Sequence, residues 1–591
     1  MCGIVGYLGY RKASTVVLNS LEKLEYRGYD SCGVALRNGG IEIYKDVGVV
    51  SRLGPSVTDG DATVGIGHTR WATHGKPCRA NAHPHTDSSG RIAVVHNGII
   101  NNYQSLRDRL IADGGVFVSE TDTEAIPHLI RKYYNGCLVE AVQRSLQDLD
   151  GSYAIAVLSA DEECIVAARK ESPLIIGVGE GEWFLASDVP AILDYTDKVI
   201  YLEDGDVAAI TRDALTITNA GHKVNRRVAK VNWHPSDTQK AGYAHYTLKE
   251  IHEQPRAIRD TLNRHLNSSE FDTVVETFAG ARNAIILGCG TSHHAGLVGQ
   301  RLLEDLGDIP VIVKLAADFC CKKPLSGNTV VLGITQSGET ADTLNALKHA
   351  VTRGCKTVAI TNTPGSSVIR VVDGVLYTDA GPEVGVAATK SFTTQLVALY
   401  ELALALQESD AAKQDIMAQL RQIPGKINEL LDTEEHIAGM GRYLAAFDYV
   451  TYIARGVNVP IALEGALKLK EVAYIHSEGC FAGELKHGPF ALLTPQTPVV
   501  AIATRDETYD LLLTNIKEIK SREAPVIAIA GEDDEVIDSC VDFVIRVPKV
   551  DPLLSPIINA VAVQLLAYYA ALERGCPIDK PRNLAKSVTV V

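Results

Sequence analysis

The sequence predicts a layered α+β domain with antiparallel sheets, followed by two tandem α/β domains whose parallel sheets are doubly wound. Three observations support this prediction. Short β-rich runs dominate the chain up to Leu215, strands then alternate one-for-one with helices, and the same alternation recurs later. A chain of 591 residues is also too long for one hydrophobic core, and about three or four folding units are expected.

The N-terminal region, residues 2–218, contains short β-rich runs separated by Gly and Asn/Asp turns. Few of these runs alternate with helices, which favours layered antiparallel sheets. A polar stretch without periodicity follows, and residues 219–245 are predicted to be a linker. The predicted strands include 41–44, 64–67, 92–95 and 153–158, and the predicted helices are 123–134 and 138–149.

The C-terminal region is predicted to hold two similar domains, residues 246–425 and 426–591. The first begins with a predicted helix, 246–266, that contains Pro255. Each domain then repeats a strand, a turn and a helix, which is typical of a doubly wound parallel sheet and indicates an internal duplication. The predicted strands are 283–287, 329–334 and 357–360, then 449–454, 499–503 and 526–530; the predicted helices include 341–352, 462–474 and 508–521.

Composition favours a cytoplasmic protein that acts on small molecules. The most apolar segment, 557–571, is shorter than the roughly 20 residues of a membrane span and contains Asn559 and Gln564, so it is predicted to be a buried helix. The N-terminus lacks a basic segment followed by an apolar one, and twelve scattered cysteines are expected to be reduced. A net charge of −15 without a basic block argues against nucleic acid.

Cys2 is a candidate nucleophile because removal of the initiator Met would place its thiol beside a free α-amine. The amine has an ordinary pKa near 8, so part of it is unprotonated at neutral pH and can accept the thiol proton. One residue would then supply both nucleophile and base. An isolated cysteine at this position is more simply interpreted as the start of a strand, so the surrounding motifs decide.

Cys2 lies in the first of five motifs. They are Met-Cys-Gly-Ile-Val-Gly at the start, Glu-Tyr-Arg-Gly-Tyr-Asp-Ser around Arg27, Gly-His-Thr-Arg-Trp-Ala-Thr-His-Gly from Gly67, His-Asn-Gly from His96 and Ser-Glu-Thr-Asp-Thr-Glu from Ser119. Together they resemble the class II, or N-terminal-nucleophile, glutamine amidotransferase domain over roughly the first 215 residues.

The resemblance implies that Cys2 attacks the glutamine amide and that Asn97 and the Gly98 N–H form the oxyanion hole. The implied glutamine-binding residues are Arg27, Arg70, Trp71, Thr73, His74 and Asp122. A guanidinium suits the substrate carboxylate and a carboxylate suits its ammonium group, while Trp71 resembles the family's gate to the ammonia path. His83 and His85 lack a third ligand at suitable spacing, so no metal is assigned.

Two hydroxyl-rich turns, Gly290–Ser292 and Thr335–Thr340, lie between a predicted strand and a predicted helix. Backbone N–H groups at a helix start favour a bound anion, although Ser and Thr also cap helices without any ligand. The Walker pattern of nucleotide triphosphate sites is absent. The corresponding turn of the second repeat, Thr504–Thr508, contains Arg505 and Asp506 and is predicted not to bind a phosphate.

Further motifs resemble the sugar isomerase (SIS) domains of the glutamine:fructose-6-phosphate aminotransferase family, and with the N-terminal motifs the resemblance spans nearly the whole chain. The motifs are Gln-Ser-Gly-Glu-Thr, Gly-Val-Ala-Ala-Thr-Lys, Leu-Glu-Gly-Ala-Leu-Lys-Leu-Lys-Glu, Gly-Glu-Leu-Lys-His-Gly-Pro and Pro-Arg-Asn-Leu-Ala-Lys-Ser-Val-Thr-Val. Two positions differ from the family pattern, because Thr335 and Ala388 stand where Ser is usual.

This resemblance implies hydrolysis of L-glutamine and transfer of the ammonia to fructose 6-phosphate, without a cofactor, in a homodimer whose active sites are completed across the interface. Lys586 would form a Schiff base with the sugar, Glu471 would move protons beside Lys468, and His487 would act from the neighbouring subunit. The implied sugar-phosphate ligands are Thr291, Ser292, Thr335, Gln336, Ser337 and Thr340.

Other protein classes fit the sequence less well. Amidophosphoribosyltransferases need a phosphoribosyl-diphosphate loop and asparagine synthetases a Ser-Gly-Gly-x-Asp-Ser loop, and neither is present. A regulator built on SIS domains is expected to carry a basic helix-turn-helix, and a related deglycase lacks the glutaminase half. An inactive paralogue is expected to lose Cys2, Glu471 or Lys586, all of which are present.

Overall fold

The computed structural model describes residues 2–58, 60–319, 328–407 and 410–589. These residues form two compact units. The N-terminal unit contains residues 2–239 together with 585–589, and the C-terminal unit is Lys240–Leu584.

The N-terminal unit contains two antiparallel sheets and five helices. The eight-stranded sheet has the order β15-β11-β9-β10-β1-β4-β2-β3, and the seven-stranded sheet has the order β14-β13-β12-β8-β7-β6-β5. The strands are β1 (Gly3–Leu8), β2 (Ser31–Arg37), β3 (Ile41–Val47), β4 (Val64–Arg70), β5 (His85–Thr86), β6 (Ile92–Ile100), β7 (Gly151–Ser159), β8 (Cys164–Lys170), β9 (Ile175–Val178), β10 (Trp183–Ala186), β11 (Lys198–Tyr201), β12 (Asp206–Thr211), β13 (Leu215–Asn219), β14 (His222–Val224) and β15 (Val228–Lys230). The helices are α1 (Ala13–Glu22), α2 (Val50–Leu53), α3 (Tyr103–Ala112), α4 (Ala125–Tyr133) and α5 (Leu138–Asp148).

Alternation along the strands explains why these elements form layers. On β7, Ala154, Ala156 and Leu158 join the core between the two sheets, whereas Ile155 and Val157 face the core that the seven-stranded sheet shares with α3, α4 and α5. Successive strand side chains point to opposite faces, so one strand contributes to two cores. The predicted layered α+β fold is confirmed.

The range predicted to be a linker, 219–245, contains two short strands. Strand β14 pairs with β13, and β15 pairs with β11. Strand β14 forms a hairpin with β13, which directly precedes it, whereas the partner of β15 lies about 30 residues earlier in the chain. None of the residues in β14 or β15 is buried, so the hydrophobic pattern carries no signal for them.

The C-terminal unit contains two five-stranded parallel sheets with the same strand order. The first is β17-β16-β18-β19-β20 and the second is β22-β21-β23-β24-β25, which confirms the predicted duplication. The strands are β16 (Asn283–Gly288), β17 (Val311–Leu315), β18 (Thr329–Ile334), β19 (Lys356–Thr361), β20 (Gly374–Tyr377), β21 (Tyr449–Ala454), β22 (His476–Phe481), β23 (Val499–Ala503), β24 (Val526–Gly531) and β25 (Phe543–Val547).

Helices cover both sheets of this unit. They are α6 (Tyr246–His252), α7 (Gln254–His265), α8 (Ser269–Ala279), α9 (Thr291–Asp305), α10 (Ala341–Thr352), α11 (Lys390–Leu406), α12 (Asp410–Leu420), α13 (Ile423–Asp432), α14 (Glu434–Leu444), α15 (Val459–Ala473), α16 (Tyr509–Lys520) and α17 (Ser555–Glu573). The prediction of one helix over 246–266 was wrong, because the chain forms α6 and α7 with a break at Glu253. Pro255 lies in the first turn of α7, where its missing N–H costs nothing.

The apolar helix α17 is the one described helix that is long and apolar enough to cross a membrane, and 89% of its most apolar window is buried inside the protein. Its buried residues pack against α14 and α15 in the large core of the C-terminal unit. The prediction of a buried helix is confirmed. The ten cysteines among the described residues are free thiols.

Candidate functional site

The pairing of β1 with β4 places Cys2 beside Trp71. Gly3 lies opposite Thr69 in the antiparallel register, so Cys2 lies level with Arg70, the last residue of β4, and next to Trp71. The Trp71 N–H donates to Cys2 Sγ at 3.2 Å. Burial raises the pKa of the Cys2 thiol, and this hydrogen bond and the nearby Arg70 guanidinium act in the opposite direction. The Trp71 N–H therefore stabilises the thiolate form of Cys2.

Asn97 and Arg27 hold the backbone next to the thiol. The Asn97 side-chain amide donates from Nδ2 to the Cys2 carbonyl at 2.9 Å, and Arg27 Nε donates to the same carbonyl at 3.2 Å. Asp188, which the sequence analysis missed, accepts from Arg27 Nη1 at 2.7 Å. The Gly98 φ of +131° suits glycine, and a Cβ there would lie 2.1 Å from the Ser152 carbonyl oxygen.

His68 contacts the Asn97 side chain, and the sequence motifs did not identify it as a site residue. Its Nε2 is 3.1 Å from Asn97 Oδ1 and 3.0 Å from the His96 carbonyl oxygen. The residue is completely buried on β4. A signal was available, because His68 stands two residues before Arg70 on the same strand, and residues at that spacing share a face.

Arg70 and Asp122 are buried near the thiol. Arg70 Nη2 donates to the carbonyl oxygens of His74 and of Gly75, the latter at 3.0 Å. Its other terminal nitrogen, Nη1, is buried and has no hydrogen-bond partner within the described chain. Asp122 Oδ2 accepts from the Ile100 N–H at 2.9 Å. One guanidinium nitrogen thus remains available to a ligand.

Most of the predicted glutamine-binding residues line one small cavity. Cys2, Arg70, Trp71, Thr73, Gly98 and Asp122 line it, together with His83, His96, Thr121 and Thr123. His74 stands next to this set, with its Nδ1 3.4 Å from Thr73 Oγ1 and its ring against Tyr103. Arg27 and Asn97 contact the Cys2 backbone from outside the lining.

In the C-terminal unit, the first predicted phosphate-binding turn leads into α9 at the carboxyl end of β16. This edge of the sheet is the point where the strand order reverses, because β17 and β18 lie on opposite sides of β16. Ligands of doubly wound sheets bind at such points. Gln395 Nε2 donates to Ser292 Oγ at 3.2 Å, and Thr291 Oγ1 donates to Glu464 Oε1 at 2.9 Å.

The second turn, Thr335–Thr340, leads into α10 at the carboxyl end of β18. Thr335 Oγ1 accepts from the Gly338 N–H at 3.2 Å, and Ser337 Oγ accepts from the Glu339 N–H at 3.1 Å. Gly338 has a φ of +66°, and a Cβ there would lie 2.1 Å from Ser366 Oγ. Gln336 and Thr340 complete the turn, and the Thr340 Oγ1 lies 3.1 Å from Thr335 Oγ1. The two turns follow neighbouring strands, so they lie side by side at the carboxyl-terminal edge of the sheet.

Glu464, which the sequence analysis missed, connects the turn before α9 with the residues predicted to move protons. Lys468 Nζ lies 3.4 Å from Glu464 Oε1 and donates to Glu471 Oε2 at 2.5 Å. Burial alone would raise the pKa of Glu464, but Lys468 and His294 lower it. Burial alone would lower the pKa of Lys468, and the two carboxylates raise it. Glu464 and Lys468 therefore stabilise each other's charged form.

The remaining predicted residues lie elsewhere. His487 is exposed at the end of a 3₁₀ turn, Ala482–His487, that follows β22. Lys586 belongs to the N-terminal unit, where its N–H donates to the Tyr26 carbonyl at 3.4 Å. Ala388 is half-buried, two residues before α11.

In the corresponding turn of the second repeat, the polar groups form hydrogen bonds with other groups of the protein. Asp506 Oδ1 accepts from the Thr508 N–H at 2.8 Å and from its hydroxyl at 2.7 Å. Thr504 Oγ1 accepts from Asn458 Nδ2 at 3.0 Å. These contacts occupy the hydroxyl and amide groups that a phosphate would use.

Two families of protein domain match the sequence. The SIS domain matches residues 277–405 and 445–574, and the glutamine amidotransferase domain matches residues 68–194. The glutamine–fructose-6-phosphate aminotransferases [isomerizing] of Methanosarcina acetivorans and Gloeobacter violaceus are each 48% identical to this chain, over 100% of both proteins. The chain belongs to the glutamine–fructose-6-phosphate aminotransferase family.

A solved structure agrees with this membership of the aminotransferase family. The C-terminal domain of glucosamine-fructose-6-phosphate aminotransferase from Francisella tularensis is 33% identical, with a TM-score of 0.55 over 58% of this chain and 99% of that domain. The chain is therefore an aminotransferase with a glutamine amidotransferase domain and two SIS domains.

Proposed function

We propose that this enzyme hydrolyses L-glutamine in its N-terminal unit and transfers the ammonia to fructose 6-phosphate, yielding glucosamine 6-phosphate and glutamate. The observation that carries the proposal is that the Asn97 amide binds the Cys2 carbonyl beside the cavity lined by Cys2, in a chain that also contains two SIS repeats. A glutaminase site releases ammonia, and a sugar isomerase domain binds a sugar whose carbonyl carbon can accept it.

In the first half-reaction, the Cys2 thiolate attacks the side-chain carbonyl carbon of glutamine. The α-amine of Cys2, free after Met removal, takes the thiol proton and passes it to the leaving nitrogen as the C–N bond breaks and ammonia departs. Water then hydrolyses the thioester, which gives glutamate and restores the thiol. Asn97 Nδ2 and the Gly98 N–H stabilise the negative oxygen that develops. Arg70, with a buried nitrogen lacking a partner among the described residues, binds the substrate carboxylate, and Asp122 binds its ammonium group. Arg27 holds the Cys2 backbone, and Trp71, Thr73 and His74 enclose the substrate.

In the second half-reaction, the sugar phosphate binds at the Gly290–Ser292 and Thr335–Thr340 turns. Thr291, Ser292, Gln336, Ser337 and Thr340 present hydroxyl and amide groups to the phosphate, and Thr335 supports that turn. Lys586 forms an imine with C2 as water leaves, and ammonia then displaces the lysine nitrogen from C2. Glu471, which accepts a hydrogen bond from Lys468, moves a proton between C1 and C2.

We also propose a cytoplasmic homodimer in which His487 assists ring opening in the partner's site. Its exposure in a single chain fits a residue that acts on another subunit. Size-exclusion chromatography with light scattering measures the mass directly. A monomer at assay concentration would remove the shared site from the proposal.

A product assay tests the function. The enzyme, glutamine and fructose 6-phosphate are expected to yield glutamate and glucosamine 6-phosphate in equal amounts, and omission of either substrate is expected to eliminate glucosamine 6-phosphate. Sorbitol 6-phosphate, which has the same phosphate but no carbonyl carbon, is the matched control in place of fructose 6-phosphate. Glutamate without any amino sugar, under conditions where both substrates are saturating, would contradict the proposal.

A further inference from the structure

His68 occupies a defined position relative to the amide of Asn97. It lies on β4, an interior strand of the eight-stranded sheet between β1 and β2, and none of its surface is exposed. Its Nε2 faces two oxygen atoms, Asn97 Oδ1 at 3.1 Å and the His96 carbonyl at 3.0 Å. Both are acceptors, so Nε2 carries the hydrogen atom.

The other ring nitrogen indicates that the imidazole is neutral. His68 Nδ1 is buried and has no hydrogen-bond partner in the described part of the chain, and a proton there would be an unsatisfied buried donor. The ring stacks on His83 at a centroid distance of 4.0 Å, so a second ring lies where water would otherwise solvate a charge. Burial lowers the pKa of His68 to about 3. His68 is therefore a neutral donor at Nε2.

We infer that His68 is a positioning residue for glutamine hydrolysis, which fixes the Asn97 amide with its nitrogen toward Cys2. A side-chain amide has an oxygen and a nitrogen of similar size, and only hydrogen bonds decide which one faces a given neighbour. With Oδ1 bound to His68, Nδ2 has one hydrogen for the Cys2 carbonyl and a second for the substrate oxygen.

Without this donor, the amide of Asn97 gains a second orientation. A flipped amide turns its carbonyl oxygen toward the developing negative charge and repels it. This inference rests on the proposed roles of Cys2 and Asn97. If His68 only filled space in the core, an apolar side chain of similar size would preserve glutamine hydrolysis.

The test compares His68→Leu and His68→Met, which lack a donor, with His68→Gln, which retains one. Both apolar variants are expected to lower kcat for glutamine hydrolysis by about 100-fold or more, the effect of losing one oxyanion donor, with little change in KM. His68→Gln is expected to restore most of the activity. Alkylation of Cys2 by iodoacetamide, followed by peptide mass spectrometry, forms no oxyanion and is expected to keep its rate in all three variants.

Asn97→Ala separates this inference from the proposed function. Full hydrolysis by Asn97→Ala would remove Asn97 from the oxyanion hole and the inference with it. Low activity of Asn97→Ala with normal kcat in His68→Leu and His68→Met would overturn the inference alone. If both apolar variants lost Cys2 alkylation together with hydrolysis, the role of His68 would be structural and the inference would be overturned. Loss of the thermal unfolding transition in both apolar variants would have the same meaning.

Discussion

Glu464 on α15, in the second repeat, accepts a hydrogen bond from Thr291 Oγ1 of the first repeat at 2.9 Å, and its other oxygen lies 2.7 Å from His294 Nδ1. The carboxylate is completely buried, and Lys468 stands beside it. The helix that carries Glu471 is thereby tied to the turn predicted to bind the sugar phosphate.

Replacement of Glu464 by Gln is expected to destabilise the enzyme. The amide retains a contact with Thr291 but leaves the buried Lys468 with less compensating charge, and such losses cost about 3–5 kcal/mol. Urea denaturation of the full chain measures the free energy of unfolding. Glu270→Gln, which breaks an exposed pair with Arg264, is the matched control and is expected to cost at most about 1 kcal/mol. Equal effects of the two substitutions would contradict the importance of the buried cluster.

Cys2→Ala is expected to eliminate glutamine hydrolysis and to leave sugar isomerisation, because the thiol serves only the first half-reaction. An N-terminal extension that blocks Met removal is expected to do the same, since an amide nitrogen cannot act as the base. Glutamate release and mass spectrometry of the N-terminus measure both effects, and Cys137→Ala is a control in the same unit. Full hydrolysis by a protein with a verified retained Met would disprove the α-amine mechanism.

Lys586→Ala and Glu471→Gln are each expected to eliminate glucosamine 6-phosphate while basal glutamine hydrolysis persists, because both act on the sugar. Borohydride with fructose 6-phosphate is expected to label Lys586, since reduction makes an imine adduct stable. Lys470→Ala is the control, because Lys470 is exposed on the same helix as Glu471. Unchanged labelling of Lys586→Ala would exclude that lysine as the imine-forming residue.

Each chain is expected to bind one sugar phosphate, on the turns of the first repeat. Ser337→Asp places a negative charge in the Thr335–Thr340 turn and is expected to eliminate binding. Asp506→Asn in the second repeat keeps the acceptor for the Thr508 N–H and is expected to change affinity little. Calorimetry with a glucose 6-phosphate analogue counts the sites. Two equivalent sites per chain would mean that the second repeat also binds phosphate.

Stability is expected to fall as the pH decreases below about 6.5. Burial lowers the pKa values of His68, His83 and His85 in the folded protein. The unfolded chain therefore binds more protons between the pKa of His68 near 3 and about 6.5, and acid favours unfolding there by up to about 1.4 kcal/mol per pH unit per histidine. Urea denaturation at pH 7.5 and pH 5.5 measures the slope. His68→Gln is expected to reduce it and the exposed His234→Gln to leave it unchanged; an identical slope in both variants would contradict a neutral His68.

Much of the secondary structure could be predicted because its signal is local. The strands 449–454 and 499–503 and the helix 341–352 have the predicted bounds, since buried strands are rich in β-branched residues and amphipathic helices repeat their apolar positions. The break between α6 and α7 and the strands β14 and β15 were not predicted. Strand β15 depends on a partner elsewhere in the chain, β11, and β14 forms a local hairpin without any buried side chain that would produce a hydrophobic pattern.

The sequence by itself determined the two chemical parts of this protein: a nucleophile at Cys2 with its accompanying motifs, and hydroxyl-rich turns after two buried strands. It did so because residue types and their spacing along one segment are local information. Only the tertiary structure decided that His68 faces Asn97, that Asp188 binds Arg27 and that Glu464 joins the two repeats. These pairs are separated by 29, 161 and 173 positions in the chain. Their hydrogen bonds exist only where strand register and helix packing bring the atoms within about 3 Å.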